Sequence, residues 1–395
     1  MNIPNRRLFL EHLAQTSPAP LGLEIVRAEG DFLFDTSEKK YTDLIAGISV
    51  SNVGHRHPNV VKAIHEQLER YMHLMVYGEY IQAPQVLLAE KIASLLPPSL
   101  SSCYFTNSGA EAIEGALKLS KRITGRHELV SFENAYHGST HGALSIMGSE
   151  FFKNAFRPLL PGTRLLRYNH PEDLLRITEQ SACVVIEPVQ GEAGAVVPKP
   201  GFLEALRKRC DETGTLLVFD EVQTGFGRTG KLFGFQHSGV IPDIIVFAKG
   251  MGGGMPVGAF VSSHERMQAL THQPVLGHIT TFGGNAVCCA AALATINTII
   301  DEKLVEGIAV REKIILKTLV HPKIKELRGT GLLYAAVLAD AETVQKVIAF
   351  CLSQGVITDW FLFCDHALRI APPLNIDEKT LEEACSVIVG ALDKV

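Results

Sequence analysis

Residues 215–249 constrain the fold of this chain more than any other stretch. They open T-L-L-V-F-D-E-V-Q-T-G-F-G-R-T-G and end P-D-I-I-V-F-A-K. Two apolar runs, 216–219 and 244–248, each stop at a charged residue, Asp220 and Lys249. Short continuous apolar runs, rather than alternating ones, read as strands buried on both faces, the pattern of a parallel sheet covered by helices. In an open α/β sheet, ligands bind beyond the carboxyl ends of the strands. Asp220 and Lys249 are therefore placed to face one ligand.

A lysine amine at such an edge suits Schiff-base chemistry, in which a neutral amine condenses with a carbonyl. Pyridoxal phosphate (PLP) is such a carbonyl compound, and its ring nitrogen needs an acidic partner for the ring to act as an electron sink. Lys249 fits the imine and Asp220 the ring nitrogen. A plainer alternative makes Asp220 a turn cap and Lys249 a solvated strand end.

The chain has 395 residues, enough for two domains or for one large and one small. Its 46% apolar and 20% charged content is that of an ordinary globular protein. A formal net charge of −5 gives no electrostatic case for nucleic acid or an anionic membrane. The eight cysteines include no C-x-x-C pair, and the adjacent Cys288 and Cys289 read as core. That usage implies neither a disulfide framework nor a zinc site and suits a reducing cytoplasm. The N-terminal apolar run is too short for a signal-peptide core, and no apolar stretch is long enough to span a bilayer.

In chain order, residues 1 to about 20 read as a polar arm, and 24–43 as an antiparallel meander. His55 and His57 share a face in extended chain, but two ligands do not make a metal site, and a Gly-His turn before a helix is the simpler reading. Helices are expected over 58–73 and 85–95. S-S-C-Y-F-T-N-S-G-A-E-A then passes from strand to turn to helix, with Ser108 and Glu111 as a capping box. The turn at Ser108, Gly109 and Ala110 offers free backbone N–H groups to a phosphate. A strand over 128–132 leads to E-N-A-Y-H-G-S-T-H-G, where Tyr136 either stacks on a flat ring or covers the core. Thr140 stands where a G-x-S-x-G elbow needs serine. A strand over 184–186 stops at Glu187, and a helix follows over 201–213.

G-M-G-G-G-M at 250–255 lacks the third glycine of a dinucleotide fingerprint, and H-E-Q-L-E at 65–69 lacks the second histidine of a zinc helix. A small-residue helix is expected over 286–300 and charged helices over 301–317. Strands near 331–338 and 367–370 and helices over 341–353 and 377–392 complete an α+β section. The composition shift near residue 300 sets the domain expectation: 1–76 as the N-terminal part of a small domain, 77–300 as a large domain, and 301–395 as the rest of the small one.

Taken in order, N-S-G-A-E-A, A-Y-H-G-S-T, I-E-P-V-Q-G-E, F-D-E-V-Q-T-G-F-G-R-T-G, F-A-K-G, T-T-F-G-G-N and L-R-I-A-P-P resemble the class III (ω-) aminotransferases, from about Leu21 to the C-terminus. In length and texture the chain is similar to the acetylornithine, ornithine and 4-aminobutyrate group. The resemblance implies a fold-type I, PLP-dependent α/β transferase. Its large domain has a mostly parallel central sheet flanked by helices, and its smaller α+β domain comes from the N- and C-terminal segments. It implies that Lys249 holds the cofactor and shuttles a proton, and that Asp220 pairs with the ring nitrogen. Gln223 would bond the ring's phenolic oxygen, with Val222 and Tyr136 on opposite ring faces. Ser108, Gly109 and Ala110 would cup the phosphate, and His137 and Glu187 would complete the cofactor set.

Thr281 would reach the phosphate of a neighbouring subunit, which implies a homodimer with shared sites. Arg369 would grip the α-carboxylate of glutamate, with Glu192 as an acidic gate that pairs with it when an ω-amino donor is bound. A planar guanidinium matches a carboxylate bidentately. The expected substrates are an amino donor, acetylornithine- or 4-aminobutyrate-like, and 2-oxoglutarate; no metal, nucleic acid or membrane is expected. The alternative for Arg369 and Glu192 is a plain structural salt bridge.

The chain departs from the family pattern at two substrate-facing positions. Ser139 stands where many ornithine and 4-aminobutyrate enzymes carry an arginine for a second carboxylate, and a hydroxyl cannot replace that charge. Ile48 stands where ornithine aminotransferases place a tyrosine. N-A at 285–286 replaces the usual N-P, a change expected to be harmless. The alternatives are a glutamate-1-semialdehyde-type aminomutase, a racemase or a decarboxylating enzyme of the same fold. Outside that class stand a non-catalytic PLP-fold binding protein, for which loss of Lys249 or Asp220 would be the mark, and a nucleotide-binding oxidoreductase.

Overall fold

A computed structural model describes residues 5–395. Near its start, β1 (Ile25–Glu29), β2 (Phe32–Asp35) and β3 (Lys40–Asp43) form the antiparallel meander that the turn signals predict. The main sheet has seven strands: β4 (Ser102–Thr106), β5 (Glu128–Phe132), β6 (Thr163–Leu166), β7 (Ser181–Ile186), β8 (Leu216–Asp220), β9 (Ile244–Phe247) and β10 (Gly258–Ser262). Their spatial order is β4-β10-β9-β8-β7-β5-β6. β10 pairs antiparallel with both of its neighbours, and all the other pairings are parallel.

The apolar runs behave as strands covered on both sides. Leu217, Phe219, Ile245 and Phe247 enter one hydrophobic core, and Leu216, Val218, Ile244 and Val246 the other. Period-two alternation therefore exists in space but is invisible in the sequence, because both faces are apolar. The helix Gly109–Thr124 covers the second face through Ala112, Ile113 and Ala116. Gly115 lets it approach, since a Cβ there would lie 2.2 Å from the Phe260 ring.

The C-terminal part adds β11 (Glu326–Thr330), β12 (Leu333–Val337), β13 (Val356–Ile357), β14 (Trp360–Phe361) and β15 (Cys364–Ile370). A third sheet runs β11-β12-β15-β14. β13 leaves it to lie parallel against β3, so the two ends of the chain share the first sheet.

Three expected helices shift. The helix from Pro58 ends at Leu68 rather than near His73, where the Gln67 amide donates to the Tyr71 carbonyl at 2.8 Å and closes the turn. The small-residue helix extends to Asp301. The charged segment begins its own helix only at Ile308, after turns with Lys303 in the left-handed region at φ +53°. β6 and β10 were not anticipated. Among the described residues no helix is long and apolar enough to cross a membrane.

Candidate active site

The carboxyl ends of β4, β5, β7, β8 and β9 converge on one cavity of about 410 Å³. Its walls include Ser108, Gly109 and Ala110 after β4, and Tyr136, His137 and Ser139 after β5. Glu187 and Glu192 follow β7, Asp220, Val222 and Gln223 come from β8 and its loop, and Lys249 follows β9. Because β10 runs the opposite way, Met255, Pro256 and Val257 before it reach the same edge.

Asp220 ends β8 on the row of Leu216 and Val218, facing the helix Gly109–Thr124. Its Oδ1 accepts from the Val222 amide at 3.0 Å, and its Oδ2 pairs with Nδ1 of His137 at 2.7 Å. Burial disfavours a charged His137 ring, but the bond to Asp220 and the charges of Asp220 and Glu187 outweigh it and raise the pKa. Glu187 accepts from the amides of Tyr136 (3.2 Å) and Gly191 (3.0 Å). Burial nevertheless pushes its carboxyl up to about 7.

Lys249 is half-buried, and desolvation of its amine lowers the pKa below the ordinary value against the opposing pull of Glu192. Its side chain makes no hydrogen bond or ion pair among the described residues. Its backbone sits at φ +42°, a strained conformation for a residue with a Cβ. The glycines after it serve packing rather than a dinucleotide: a Cβ at Gly250 would lie 2.3 Å from Asn52 Nδ2, and one at Gly252 2.1 Å from the Met255 carbonyl.

These residues fit PLP. Gln223 Nε2 and His137 Nε2 are buried without partners, so each leaves polar capacity unused at the cavity. Gly109 opens its helix within reach of Val222, where a Cβ would come to 2.9 Å of a Val222 methyl, so the helix N-terminus is kept bare. Ser108 Oγ accepts from the Glu111 amide at 3.2 Å, as the capping box requires. The returning carboxylate takes the amide of Asn107 at 2.7 Å instead of that of Ser108, which leaves the Ser108 N–H out of the box.

Arg369, on β15, lies behind Glu192. Its Nη1 and Nη2 donate to the two Glu192 carboxylate oxygens at 2.8 and 2.9 Å. Burial would raise the Glu192 pKa, but the charge and hydrogen bonds of Arg369 outweigh it and lower the pKa. Asp359, which the sequence did not single out, binds Nε of the same guanidinium at 2.9 Å. Arg228, also unremarked inside G-F-G-R-T-G, is fully buried and donates to the Leu332 and Pro372 carbonyls and to Asn52 Oδ1.

Three further residues named from the family pattern fall in different places. Ser139 is at the cavity, 3.2 Å from the Tyr136 hydroxyl. Ile48 is not; Val50 lines the wall instead. Residues 46–49 form a left-handed turn with φ between +47° and +65°, which carries Ile48 past the cavity. Thr281 is exposed and outside this cavity, while the adjacent Thr280 hydroxyl accepts from Asn107 at 3.1 Å.

Comparison with known proteins gives the family and the fold. The family model for class III aminotransferases matches residues 13–392. The acetylornithine aminotransferase of Methanopyrus kandleri is 38% identical over 384 residues, covering 96% of each chain. The putrescine aminotransferase of Pectobacterium atrosepticum is 38% identical, covering 98% of this chain and 85% of its own. The solved structure of ornithine aminotransferase from Toxoplasma gondii superposes with a TM-score of 0.91 at 29% identity, covering 98% of this chain and 93% of that one. By family match and fold, the chain belongs to the class III aminotransferases and is a PLP-dependent transaminase of fold-type I.

Proposed function

We propose that this transaminase exchanges an amino group between an ω-amino donor and the pair glutamate/2-oxoglutarate. The observation that carries the reading is the bidentate Arg369–Glu192 pair, with Glu192 in the wall of the cavity that holds Lys249. When bound, PLP supplies the carbonyl and the electron sink. Asp220, backed by His137, would hold the ring nitrogen, and Gln223 Nε2 would donate to the ring oxygen. Tyr136 and Val222 would flank the ring, and the N-terminus of the helix Gly109–Thr124 would take the phosphate. Lys249, kept toward its neutral form by desolvation, would move a proton between the amine-bearing carbon of the substrate and the cofactor, in one direction in the first half-reaction and in the other in the second. A substrate α-carboxylate takes the place of Glu192 on Arg369; a donor without one leaves the pair closed.

The donor is read as acetylornithine- or 4-aminobutyrate-like, supported by relatives named acetylornithine and putrescine aminotransferases. With Ser139 in the wall, Lys249 is the one lysine, and no arginine appears, among the described residues lining the cavity. A far carboxylate on the donor therefore needs a cation from elsewhere.

A homodimer is part of the proposal. Ile81 is 95% exposed, and Met72, Tyr80, Ile279 and Phe282 add apolar surface to the segments around it and around Thr281. The pairing of β13 with β3 supports one unit from 1–76 and 301–395 beside a second from 77–300. Eight cysteines without a disulfide support a cytoplasmic setting.

The test is an absorbance titration of the PLP-loaded protein with single amines. Glutamate is expected to bleach the lysine-linked chromophore and 2-oxoglutarate to restore it. The ω-amine that also bleaches it defines the donor. Lys249→Ala is expected to lose both chromophore and turnover; an active variant would refute the assignment of Lys249.

A further inference from the structure

Both halves of the Arg369–Glu192 pair are held by a single short segment, residues 359–363. Asp359 Oδ1 accepts from Nε of Arg369 at 2.9 Å, and the Trp360 carbonyl accepts from Nη2 at 3.1 Å. The Phe361 ring lies under the guanidinium, 4.4 Å from its central carbon. On the other partner, the Leu362 amide donates to Glu192 Oε2 at 3.1 Å and the Phe363 amide to the Glu192 carbonyl at 3.0 Å. The segment is tied to Arg369 by backbone as well, since the Arg369 amide donates to the Asp359 carbonyl at 2.9 Å. From the opposite side, Arg328 fastens the loop that carries Glu192 through the carbonyls of Ala193 and Gly194.

The guanidinium has one edge formed by Nη1 and Nη2 and another that includes Nε. Glu192 occupies the first and Asp359 the second. If Glu192 leaves, Asp359 is the remaining carboxylate on Arg369 among the described residues. Without it the guanidinium would keep only the Trp360 carbonyl and the Phe361 ring, and its Nε edge would lose the charge that sets the direction of the fork.

We propose that Asp359 is a positioning residue of the carboxylate subsite: it fixes the Arg369 fork so that Nη1 and Nη2 stay directed at the cavity when a substrate carboxylate takes the place of Glu192. The inference rests on the gate reading of that pair. The role differs from that of a plain ion pair, because it concerns the state in which Glu192 has been displaced. It also gives a reason for D-W-F-L-F to precede L-R-I at this spacing: the β14–β15 hairpin brings residue 359 beside residue 369.

The experiment compares Asp359→Ala, Asp359→Asn and Arg369→Gln with the parent as PLP-loaded proteins. KM and kcat for glutamate with a fixed keto acid are measured, together with the calorimetric Kd for glutarate, a dicarboxylate without an amine. Asp359→Ala is expected to raise both KM and Kd about tenfold while kcat at saturation stays within about threefold. Asp359→Asn keeps the shape and an acceptor for Nε, so it is expected to raise KM only about threefold. Unchanged KM and Kd in Asp359→Ala, or a fall in kcat with KM unmoved, would overturn the positioning role. If Asp359→Ala does not fold, an Asn variant with parental or more than tenfold weaker glutamate binding overturns it. Arg369→Gln separates the two levels. Should it leave glutamate binding untouched, the gate reading itself fails. Should it abolish binding while Asp359→Ala does not weaken it, only the role of Asp359 fails.

Discussion

Glu187 shows what a single buried group can reveal. Its carboxyl is pushed up to about 7 by burial, from an ordinary value of 4.5. Glu221, which accepts from Thr224 and the amides of Gly234 and Phe235, is raised to about 7 for the same reason. A carboxyl raised on folding binds its proton more tightly in the folded chain than in the unfolded one. Its contribution is fully present at acid pH and is lost as pH rises from about 4.5 through 7. The midpoint of thermal unfolding is therefore expected to decline over that interval, and Glu187→Gln to flatten the decline. Calorimetric scans from pH 5 to 8 check this, and an identical pH profile for the variant would contradict it. At this scale the sequence was legible where a charged residue closed an apolar run, as with Asp220 and Lys249. Asp359 and Arg228 were hidden, because their importance lies in partners 10 and more than 100 residues away that only the fold brings near.

The helix Gly109–Thr124 joins the sheet to the proposed phosphate end of the site. Its first residue touches Val222 so closely that a Cβ would stand 2.9 Å from one methyl and 3.0 Å from the other. Gly109→Ala must therefore push the helix start and Val222 apart. PLP affinity, read by fluorescence titration of the apoprotein, is expected to fall about tenfold, with unfolding shifted by about 1–3 kcal/mol. Affinity unchanged within twofold would mean that this approach does not matter to the cofactor. Among elements, β8 and β9 were readable because burial on both faces leaves unbroken apolar runs. β10 was missed because G-A-F-V-S follows a glycine-rich tract and reads as loop, and β13 and β14 have two residues each, too few for any period. The turn at 46–49 was also out of reach. Four successive left-handed residues, including the β-branched Ile48, run against local preference and persist because their surroundings fix them. Asp43 does part of this by accepting from the amides of Ile45 and Ala46. That is why Val50 rather than Ile48 reaches the cavity.

For the molecule as a whole, apolar surface around Ile81 and Phe282 predicts a dimer. Sedimentation is expected to show twice the chain mass, and Ile81→Asp to shift the balance toward monomer with lower activity per chain. A parent that sediments as a monomer would remove the shared-site part of the proposal. The architecture was readable in outline, since the strand runs, the helix caps and the motif order all pointed to one mostly parallel sheet. What no local pattern carried was the return of the C-terminal segment to pair β13 with β3. The Arg369–Glu192 bridge spans the same kind of long-range seam. Glu192 belongs to a loop of the seven-stranded sheet and Arg369 to the third sheet, so their ion pair is also a latch between two bodies of secondary structure. On the proposed gate, glutamate at Arg369 would undo that fastening and leave the seam to Arg328 and the backbone contacts beside it. The two half-reactions would then run on a molecule of different stiffness, and the substrate that opens the latch would also loosen the seam.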